Sequence, residues 1–377
     1  MKSNAKYFIV GAGFFGCVVA ERIANDLKEN CVILEKREHI GGNCYSEFEA
    51  ETKIEVHKYG THIFHTSDKE VWEYLNHFSA FNSYRHKVLT KHHNKVFQMP
   101  INLSTINEFF NKSYTPSEAR IFIQTEILKE KSENPANLEE MAISLIGREL
   151  FEAFIKGYTY KQWNTDLKKL PAEIIQRLPV RYNYKSDYFD DIYQGLPLSG
   201  YTGFFEKILD NRRIELHLKT DFKEVSSELP KDAIVIYTGA IDNYFDYKYG
   251  ELGWRTVKLE TEIVPTSDFQ GTSVMNYADF EIPYTRIHEF KHLHEERKYS
   301  SSKSVISREF SVEVSKEYSE PYYPMNRRED HLIFQKYLSD AKKMKNIFFG
   351  GRLGTYAYLD MDKIVKKALL FYEDNIK

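Results

Sequence analysis

The first 35 residues alternate between short apolar runs and one glycine-rich turn. Residues 6–10 and 31–35 are apolar runs rich in β-branched and aromatic side chains, so they predict buried strands. Between them, the apolar positions from Cys17 to Leu27 have helical spacing. The order strand, turn, helix, strand predicts a βαβ unit of about 30 residues.

The middle of the chain changes from helical to extended patterning. Capping signals at Ser67–Glu70, Thr115–Glu118 and Asn137–Glu140 predict helices, and the region from about residue 80 to 195 is expected to be mostly helical. Between residues 214 and 310, apolar runs separated by Gly, Asp and Asn predict strands. Several of these strands should pair antiparallel, because no helical crossover fits between the later ones.

Composition narrows the class of protein. The 377 residues include 52 Lys and Arg against 55 Asp and Glu, a formal net charge of −3, which speaks against a nucleic-acid scaffold. This length exceeds the roughly 250–300 residues of a single core, so two or three domains are expected. The three cysteines match no zinc signature, and no apolar stretch is long enough to span a membrane. We therefore expect a cytoplasmic protein with no metal, nucleic-acid or membrane partner.

The turn after the first predicted strand carries candidate chemistry. Gly11, Gly13 and Gly16 have the spacing GxGxxG between a strand and a helix, and the second strand ends in Glu35. This context is typical of dinucleotide binding, since the glycines let backbone N–H groups approach a pyrophosphate at the start of a helix. Glu35 is then expected to accept a hydrogen bond from a ribose hydroxyl.

Three further segments favour FAD over NAD as the dinucleotide. Gly41-Gly42 follows the acidic strand end and resembles the second glycine signature of glutathione-reductase-like FAD enzymes. Residues 232–240 resemble the later strand that returns to FAD in such folds. Gly350-Gly351-Arg352 lies between a predicted strand and a predicted helix, as the segment that contacts the ribityl chain does in that class.

The chain resembles the prokaryotic UDP-galactopyranose mutases over essentially its whole length. The matching segments include His62–Thr66 (HIFHT), Gly157–Trp163 (GYTYKQW), Tyr284–Ile287 (YTRI) and Gly351–Met361 (GRLGTYAYLDM). The KQW and YLDM strings are the most diagnostic. The resemblance implies an FAD enzyme, an isomerase that interconverts UDP-galactopyranose and UDP-galactofuranose for galactofuranose-containing cell-surface glycans.

The resemblance also implies a mechanism and partners. The ring contraction has no net redox change, yet the family works only with reduced flavin. Flavin N5 attacks the anomeric carbon as UDP leaves, and a flavin–sugar iminium intermediate follows. An external reductant such as NAD(P)H or a flavin reductant is implied, and a homodimer is expected.

The implied fold is α/β with mixed elements: a Rossmann-like FAD-binding domain, an inserted α-helical domain and an antiparallel β-sheet domain. The FAD-binding domain would comprise residues 1–78, 199–245 and 330–377. Residues 79–198 would form the mainly helical domain, with a mobile substrate loop at about 168–183. Residues 246–329 would form the antiparallel sheet that helps bind the substrate.

Catalytic residues are carried over by motif position. Arg177 and Arg286 match the family's two diphosphate-binding arginines, a role that suits a guanidinium because it offers bidentate donors to phosphate oxygens. His65 would lie against the flavin ring near N5, with His62 beside it. Thr61 stands where many members have Pro, which puts the stiffness of this loop in doubt. A mutase that also accepts UDP-N-acetylgalactosamine stays an alternative.

The remaining site residues follow from the same motifs. Tyr158 and Trp163 would lie at the uridine end, with core packing as the alternative for Trp163. Tyr188 would stack on uracil, and Asn276 would hydrogen-bond it. The hydroxyls of Tyr323 and Tyr358 would bind the diphosphate, with Tyr322 as the alternative to Tyr323. The substrate-binding set is Tyr158, Trp163, Arg177, Tyr188, Asn276, Arg286, Tyr323 and Tyr358. The cofactor-binding set is Gly11, Gly13, Phe14, Phe15, Gly16, Glu35, Lys36, Gly42, Asn43, His62, Ile63, Gly351, Arg352, Tyr358, Asp360 and Met361.

Two other functions share parts of this signature. An FAD-dependent amine-oxidase-like oxidoreductase would have the same N-terminal fingerprint and Gly351 region. A flavin-binding redox sensor would need only the cofactor site. Neither gives a reason for Arg177 and Arg286 together with the KQW segment, so the residues favour a substrate that carries a diphosphate.

Overall fold

The computed structural model describes residues 5–175, 180–315, 318 and 320–377, and its strands form two larger sheets and two small ones. In chain order the strands are β1 (Tyr7–Val10), β2 (Cys31–Leu34), β3 (Ser46–Phe48), β4 (Glu55–His57), β5 (Phe64–Thr66), β6 (Val88–His92), β7 (Lys95–Met99), β8 (Tyr193–Gly195), β9 (Ile214–His217), β10 (Ile234–Tyr237), β11 (Trp254–Val264), β12 (Val274–Tyr277), β13 (Arg286–Glu289), β14 (Ser304–Glu313), β15 (Tyr323–Pro324) and β16 (Ile347–Phe349).

Helices cover the sheets and fill the region between β7 and β8. They are α1 (Phe14–Arg22), α2 (Lys69–Asn76), α3 (Leu103–Phe109), α4 (Pro116–Leu128), α5 (Leu138–Ile146), α6 (Arg148–Leu150), α7 (Gly157–Trp163), α8 (Gly200–Ile208), α9 (Phe222–Val225), α10 (Ile241–Tyr244), α11 (Arg328–Ala341), α12 (Gly351–Gly354) and α13 (Met361–Asn375). Two π-helical turns, Ile23–Leu27 and Phe151–Lys156, continue α1 and join α6 to α7. Among the described helices, none is long and apolar enough to cross a membrane.

A five-stranded parallel sheet has the order β16–β10–β1–β2–β9, with β1 at its centre. Ile9 of β1 packs in the cluster that contains α1 and α13, whereas Phe8 packs with α9 on the opposite face. The strand is apolar at every position because both of its faces are buried. The order of the strands reverses between β1 and β10, and open parallel sheets bind ligands at the carboxyl ends of the strands beside such a reversal.

The second large sheet has seven strands in the order β15–β11–β14–β13–β12–β6–β7 and is mostly antiparallel. Its register places Arg286 of β13 opposite Glu309 of β14 on one side and opposite Asn276 of β12 on the other. A parallel sheet with a separate antiparallel sheet confirms the predicted α/β class. The hairpin β6–β7 lies within the region expected to be mostly helical, so that expectation is wrong for these two strands.

The helical region has its own core and well-defined caps. Thr115 and Glu118 form the predicted capping box of α4, and Asn137 caps α5, which ends at Gly147. The prediction for α2 was off by one residue, because the Asp68 carboxylate, rather than Ser67, accepts the N–H groups at its start. Helices α3 to α7 share one apolar cluster, separate from that of the parallel sheet.

Candidate active site

The turn after β1 contains two glycines that the fold itself requires. Gly11 has a φ of +103°, and a Cβ there would lie 2.2 Å from Thr238 Oγ1. A Cβ on Gly16 would lie 2.1 Å from the Gly11 carbonyl oxygen, because α1 packs directly on the turn before it. Both positions therefore need glycine for backbone conformation and close packing.

Gly13 is glycine for a different reason. Its backbone is extended, and a Cβ there would have no described atom within 4 Å. Gly42 approaches it from across the turn, since a Cβ on Gly42 would lie 3.2 Å from Gly13 Cα. The space in front of Gly13 is thus open, lined by backbone and next to the start of α1, where N–H groups and the helix dipole favour a phosphate group. These residues fit the predicted pyrophosphate.

Three predicted cofactor contacts have side chains that point into the core. Phe14 packs edge-on against Phe205 with ring centroids 4.7 Å apart, and Phe15 lies 5.5 Å from Phe371. Ile63 is buried in the same cluster. Any contact of these residues with a cofactor is therefore made by their backbone atoms.

Glu35 is held at the carboxyl end of β2. Its carboxylate accepts the Ala12 N–H at 2.8 Å and the Arg37 N–H at 2.9 Å, and the residue is 6% exposed. These bonds fix the carboxylate against the glycine turn, and each oxygen keeps a lone pair for a further donor. The geometry suits the predicted bond from a ribose hydroxyl.

Lys36 and Asn43 are engaged with other protein groups. Lys36 Nζ forms an ion pair with Glu320 at 3.0 Å, and Arg37 donates to the same carboxylate at 2.6 Å. Arg37 also donates to the amide oxygen of Asn43 at 3.0 Å. Arg37, which the sequence did not single out, therefore organises the rim of the dinucleotide edge.

The two histidines of the HIFHT segment have different surroundings. His62 Nδ1 donates to the Gly60 carbonyl at 2.7 Å. Burial lowers the pKa of His62 to about 4, although this hydrogen bond acts to raise it. The ring is thus neutral at pH 7 with Nε2 as an acceptor. His65 Nδ1 lies 2.7 Å from the Asp191 carboxylate, and its ring stacks on Phe189 at 3.6 Å. One face of His65 is therefore covered by protein.

Arg286 is the centre of a second cluster, on the antiparallel sheet. Its Nε lies 3.1 Å from Glu309 Oε1, and its Nη2 donates to the Tyr158 hydroxyl of α7. Burial alone raises the pKa of Glu309, but Arg286 and a bond from His288 outweigh it and lower that pKa to about 2. Burial raises the pKa of Tyr158 to about 12, so the phenol keeps its proton and can donate it to a ligand.

Asn276 of β12 lies directly opposite Arg286 of β13. Its amide oxygen is buried and has no hydrogen-bond partner among the described residues. A buried acceptor without a donor costs about 1–3 kcal/mol, so such an atom in a site points to a donor supplied by a ligand. An imide N–H of a pyrimidine base has the required chemistry.

Tyrosines connect this cluster to the dinucleotide edge. Tyr323 stacks on Tyr358 with ring centroids 5.6 Å apart, and the guanidinium of Arg352, next to Gly351, lies 5.7 Å from the Tyr323 ring. Burial and Glu309 raise the pKa of Tyr323, whereas Arg352 and Arg286 oppose the rise, so both arginines act on this hydroxyl. Tyr188 is 43% exposed and offers an open ring face nearby.

Comparisons with known proteins agree with this geometry. The family model GLF, UDP-galactopyranose mutase, matches residues 153–358, and a model of the NAD(P)-binding Rossmann-like domain matches residues 9–78. A probable UDP-galactopyranose mutase from Klebsiella pneumoniae is 42% identical over 371 residues, which are 97% of this chain and 94% of the relative. The chain belongs to the UDP-galactopyranose mutase family. It is therefore an isomerase with a Rossmann-like dinucleotide-binding domain.

Two further comparisons add detail. A dTDP-fucopyranose mutase from Escherichia coli is 38% identical over 371 residues and covers 97% of this chain and 96% of the relative. A crystal structure of reduced UDP-galactopyranose mutase superposes with a TM-score of 0.74 at 14% identity and covers 99% of this chain and 96% of that one. At that identity the superposition establishes the fold alone.

Within this mutase fold, the KQW segment has a role that the sequence did not reveal. Lys161 Nζ donates to four backbone carbonyls at 2.7–3.1 Å, those of Tyr277, Asp279, Ile282 and Tyr284. A Cβ on Gly157 would lie 2.2 Å from the Ala278 carbonyl oxygen. Helix α7 is thus fixed against the loop between β12 and β13, and this contact places Tyr158 next to Arg286. No side-chain spacing could predict it, because the acceptors are backbone atoms.

Other predicted residues of the mutase site are placed as follows. Trp163 is partly buried against the core of the helical region, and its role at the uridine end stays a prediction. Met361 Sδ accepts weak bonds from Cys44 Sγ at 3.5 Å and the Tyr201 hydroxyl at 3.7 Å, and Asp360 precedes α13 as its N-cap residue. Arg177 lies outside the described residues, so its role as a diphosphate ligand stays a prediction.

Proposed function

We propose that this protein interconverts UDP-galactopyranose and UDP-galactofuranose with FAD in its reduced form. The observation that carries the proposal is the junction at Arg352 and Tyr323, where the dinucleotide edge meets the Arg286 cluster. A cofactor held at Gly13 and a substrate diphosphate held at Arg286 would be neighbours there. Neither an amine substrate nor a redox sensor gives a reason for this arginine and tyrosine cluster.

The chain's own residues divide the work of binding. Arg286 and the hydroxyls of Tyr323 and Tyr358 would hold the diphosphate and stabilise UDP as it leaves, with Arg177 as a second arginine. Tyr158, which accepts a bond from Arg286, would lie toward the uridine end. Asn276 would accept the uracil N–H, and Tyr188 would stack on the base. Reduced FAD, when bound, supplies the nucleophile that takes up the anomeric carbon. His62 and His65 would line the face of the cofactor, and the His62 ring would be uncharged there.

The proposal extends to partners and place. We propose that NAD(P)H or a flavin reductant supplies the electrons, that the protein is a cytoplasmic homodimer, and that its product enters cell-surface glycans. Anaerobic reduction of the bound flavin by NADPH, followed by absorbance, tests the first point. Light scattering after gel filtration tests the second, and a monomer would contradict it.

The direct test is an anaerobic assay with UDP-galactofuranose, with and without dithionite, followed by chromatography of the nucleotide sugars. Conversion to UDP-galactopyranose only after reduction supports the proposal. Parallel reactions with UDP-N-acetylgalactopyranose and dTDP-fucopyranose test substrate breadth, the latter because of the 38% identical relative. Turnover of dTDP-fucopyranose alone would overturn the galactose assignment.

A matched pair of arginine variants tests the site itself. Arg286→Ala should reduce turnover about 10²–10³-fold while FAD stays bound, because a donor to the departing phosphate is lost. Arg308→Ala is the control: Arg308 lies on neighbouring β14 but pairs with Glu262. Equal losses in both variants would mean that the effect reflects the sheet rather than the diphosphate site.

A further inference from the structure

A continuous chain of four polar side chains runs from the loop before β5 to Arg286. Thr61 Oγ1 lies 2.7 Å from His288 Nδ1, and His288 Nε2 lies 3.0 Å from Glu309 Oε2. Glu309 Oε1 in turn forms an ion pair with Arg286 Nε at 3.1 Å, without the alignment of a hydrogen bond. Thr61 directly precedes the HIFHT segment, and the proposed function leaves it without a role.

The direction of each bond follows from chemistry. Glu309 is ionised, with a pKa of about 2, so it only accepts, and His288 Nε2 must carry the proton that it donates. In the neutral imidazole, Nδ1 then keeps a lone pair, and the Thr61 hydroxyl donates to it. A proline at position 61 could not make this bond, because it has no side-chain donor.

The sheet geometry explains why one carboxylate reaches both partners. Arg286 and His288 are two residues apart on β13, so they face the same side of the sheet, and Glu309 lies directly opposite Arg286 on β14. His288 is 2% exposed and the Glu309 side chain 13% exposed, so water competes little with these bonds. His288 holds Glu309 Oε2, whereas Oε1 faces Arg286 and also accepts a longer bond from Thr285 Oγ1 at 3.4 Å.

We propose that Thr61 and His288 are positioning residues that orient the Glu309 carboxylate and, through it, the guanidinium of Arg286 for the substrate diphosphate. The inference rests on the proposed function only in that Arg286 contacts a diphosphate. It also links the His62 segment, beside the cofactor, to the diphosphate site, because Thr61 directly precedes His62.

The test measures UDP binding to the oxidised holoenzyme by calorimetry, which needs no turnover. Thr61→Val removes the hydroxyl at constant shape and should weaken UDP binding about three- to tenfold, whereas Thr61→Ser should restore it. In an Arg286→Ala background, Thr61→Val should have no further effect, because its action passes through that guanidinium. Thr261→Val is the control, since Thr261 bonds Ser307 in the same sheet outside the chain of contacts.

His288 gives an independent comparison. His288→Gln keeps an N–H for Glu309 and should retain most UDP affinity, whereas His288→Phe should lose it to the same extent as Thr61→Val or more. The inference is overturned if Thr61→Val binds UDP with wild-type affinity. It is also overturned if Thr61→Val weakens UDP binding equally in the presence and absence of Arg286. Either result leaves the proposed function standing. Failure of the wild-type protein to bind UDP overturns the proposed function and the premise taken from it.

Discussion

Gly13 offers a direct test of the cofactor site, because a side chain at this position should weaken cofactor binding without destabilising the fold. Its extended backbone accommodates alanine, and a Cβ there would have no described atom within 4 Å. Alanine is a poorer N-cap than glycine but restricts the unfolded chain, and these effects nearly cancel. The free energy of unfolding of apo Gly13→Ala should therefore stay within about 1 kcal/mol of wild type.

Cofactor binding should respond quite differently. A methyl group at Gly13 occupies the space through which the backbone approaches the pyrophosphate, and such overpacking costs about 1–3 kcal/mol. FAD affinity should thus fall about ten- to hundredfold. Fluorescence titration of the apoprotein with FAD measures this loss, and urea unfolding of the same preparation measures stability.

Gly16→Ala is the matched control, since its Cβ would lie 2.1 Å from the Gly11 carbonyl oxygen. It should destabilise the fold first and weaken FAD binding as a consequence. The reasoning is refuted if Gly13→Ala binds FAD as tightly as wild type, or if it unfolds as easily as Gly16→Ala.

Three other perturbations follow from buried polar groups. The pKa of His62 is about 4 in the folded protein and about 6.5 in the unfolded chain. The free energy of unfolding should therefore fall by about 3 kcal/mol as the pH drops from 6.5 to 4. Equal urea midpoints at pH 7 and pH 4.5 would contradict this. Asn276→Leu should leave stability unchanged or higher but weaken UDP binding about tenfold, measured by calorimetry, because it removes an acceptor that only a ligand satisfies. Lys161→Met should cost about 2–4 kcal/mol in urea unfolding and lower kcat/KM, since four carbonyls lose their donor; an unchanged urea midpoint would argue against this.

Local patterns predicted the strand–turn–helix–strand unit at the start of the parallel sheet. The glycine turn, the strands around it and Glu35 lie within 30 residues of one another, so a single βαβ unit contains the whole pattern. The capping box at Thr115 is local in the same sense. The hairpin β6–β7 was missed because polar His92 and Lys95 stand on the same face as buried Phe97, which weakens the period-two signal.

Interactions between distant segments could not be predicted in this way. Thr61 and His288 are 227 residues apart, and no sequence pattern around either residue predicts a hydrogen bond between them. Family resemblance identified Arg286 and Tyr158 individually, but the sheet register that brings Glu309 to Arg286 depends on pairings formed only in the folded molecule. Asn276 was expected as a base contact, and the unpaired state of its oxygen became visible only with its neighbours in place.

The position of β1 at the centre of the parallel sheet has a consequence for biosynthesis. β1 ends at Val10, whereas its neighbour β10 begins at Ile234, and β16, which precedes the Gly350-Gly351 turn, ends at Phe349. At about 5–20 residues per second, the ribosome needs tens of seconds to supply β10 after β1 emerges. During that interval one edge of β1 lacks its native partner, and the proposed cofactor site, which includes the Gly350-Gly351 turn, stays incomplete until almost the entire polypeptide has been translated.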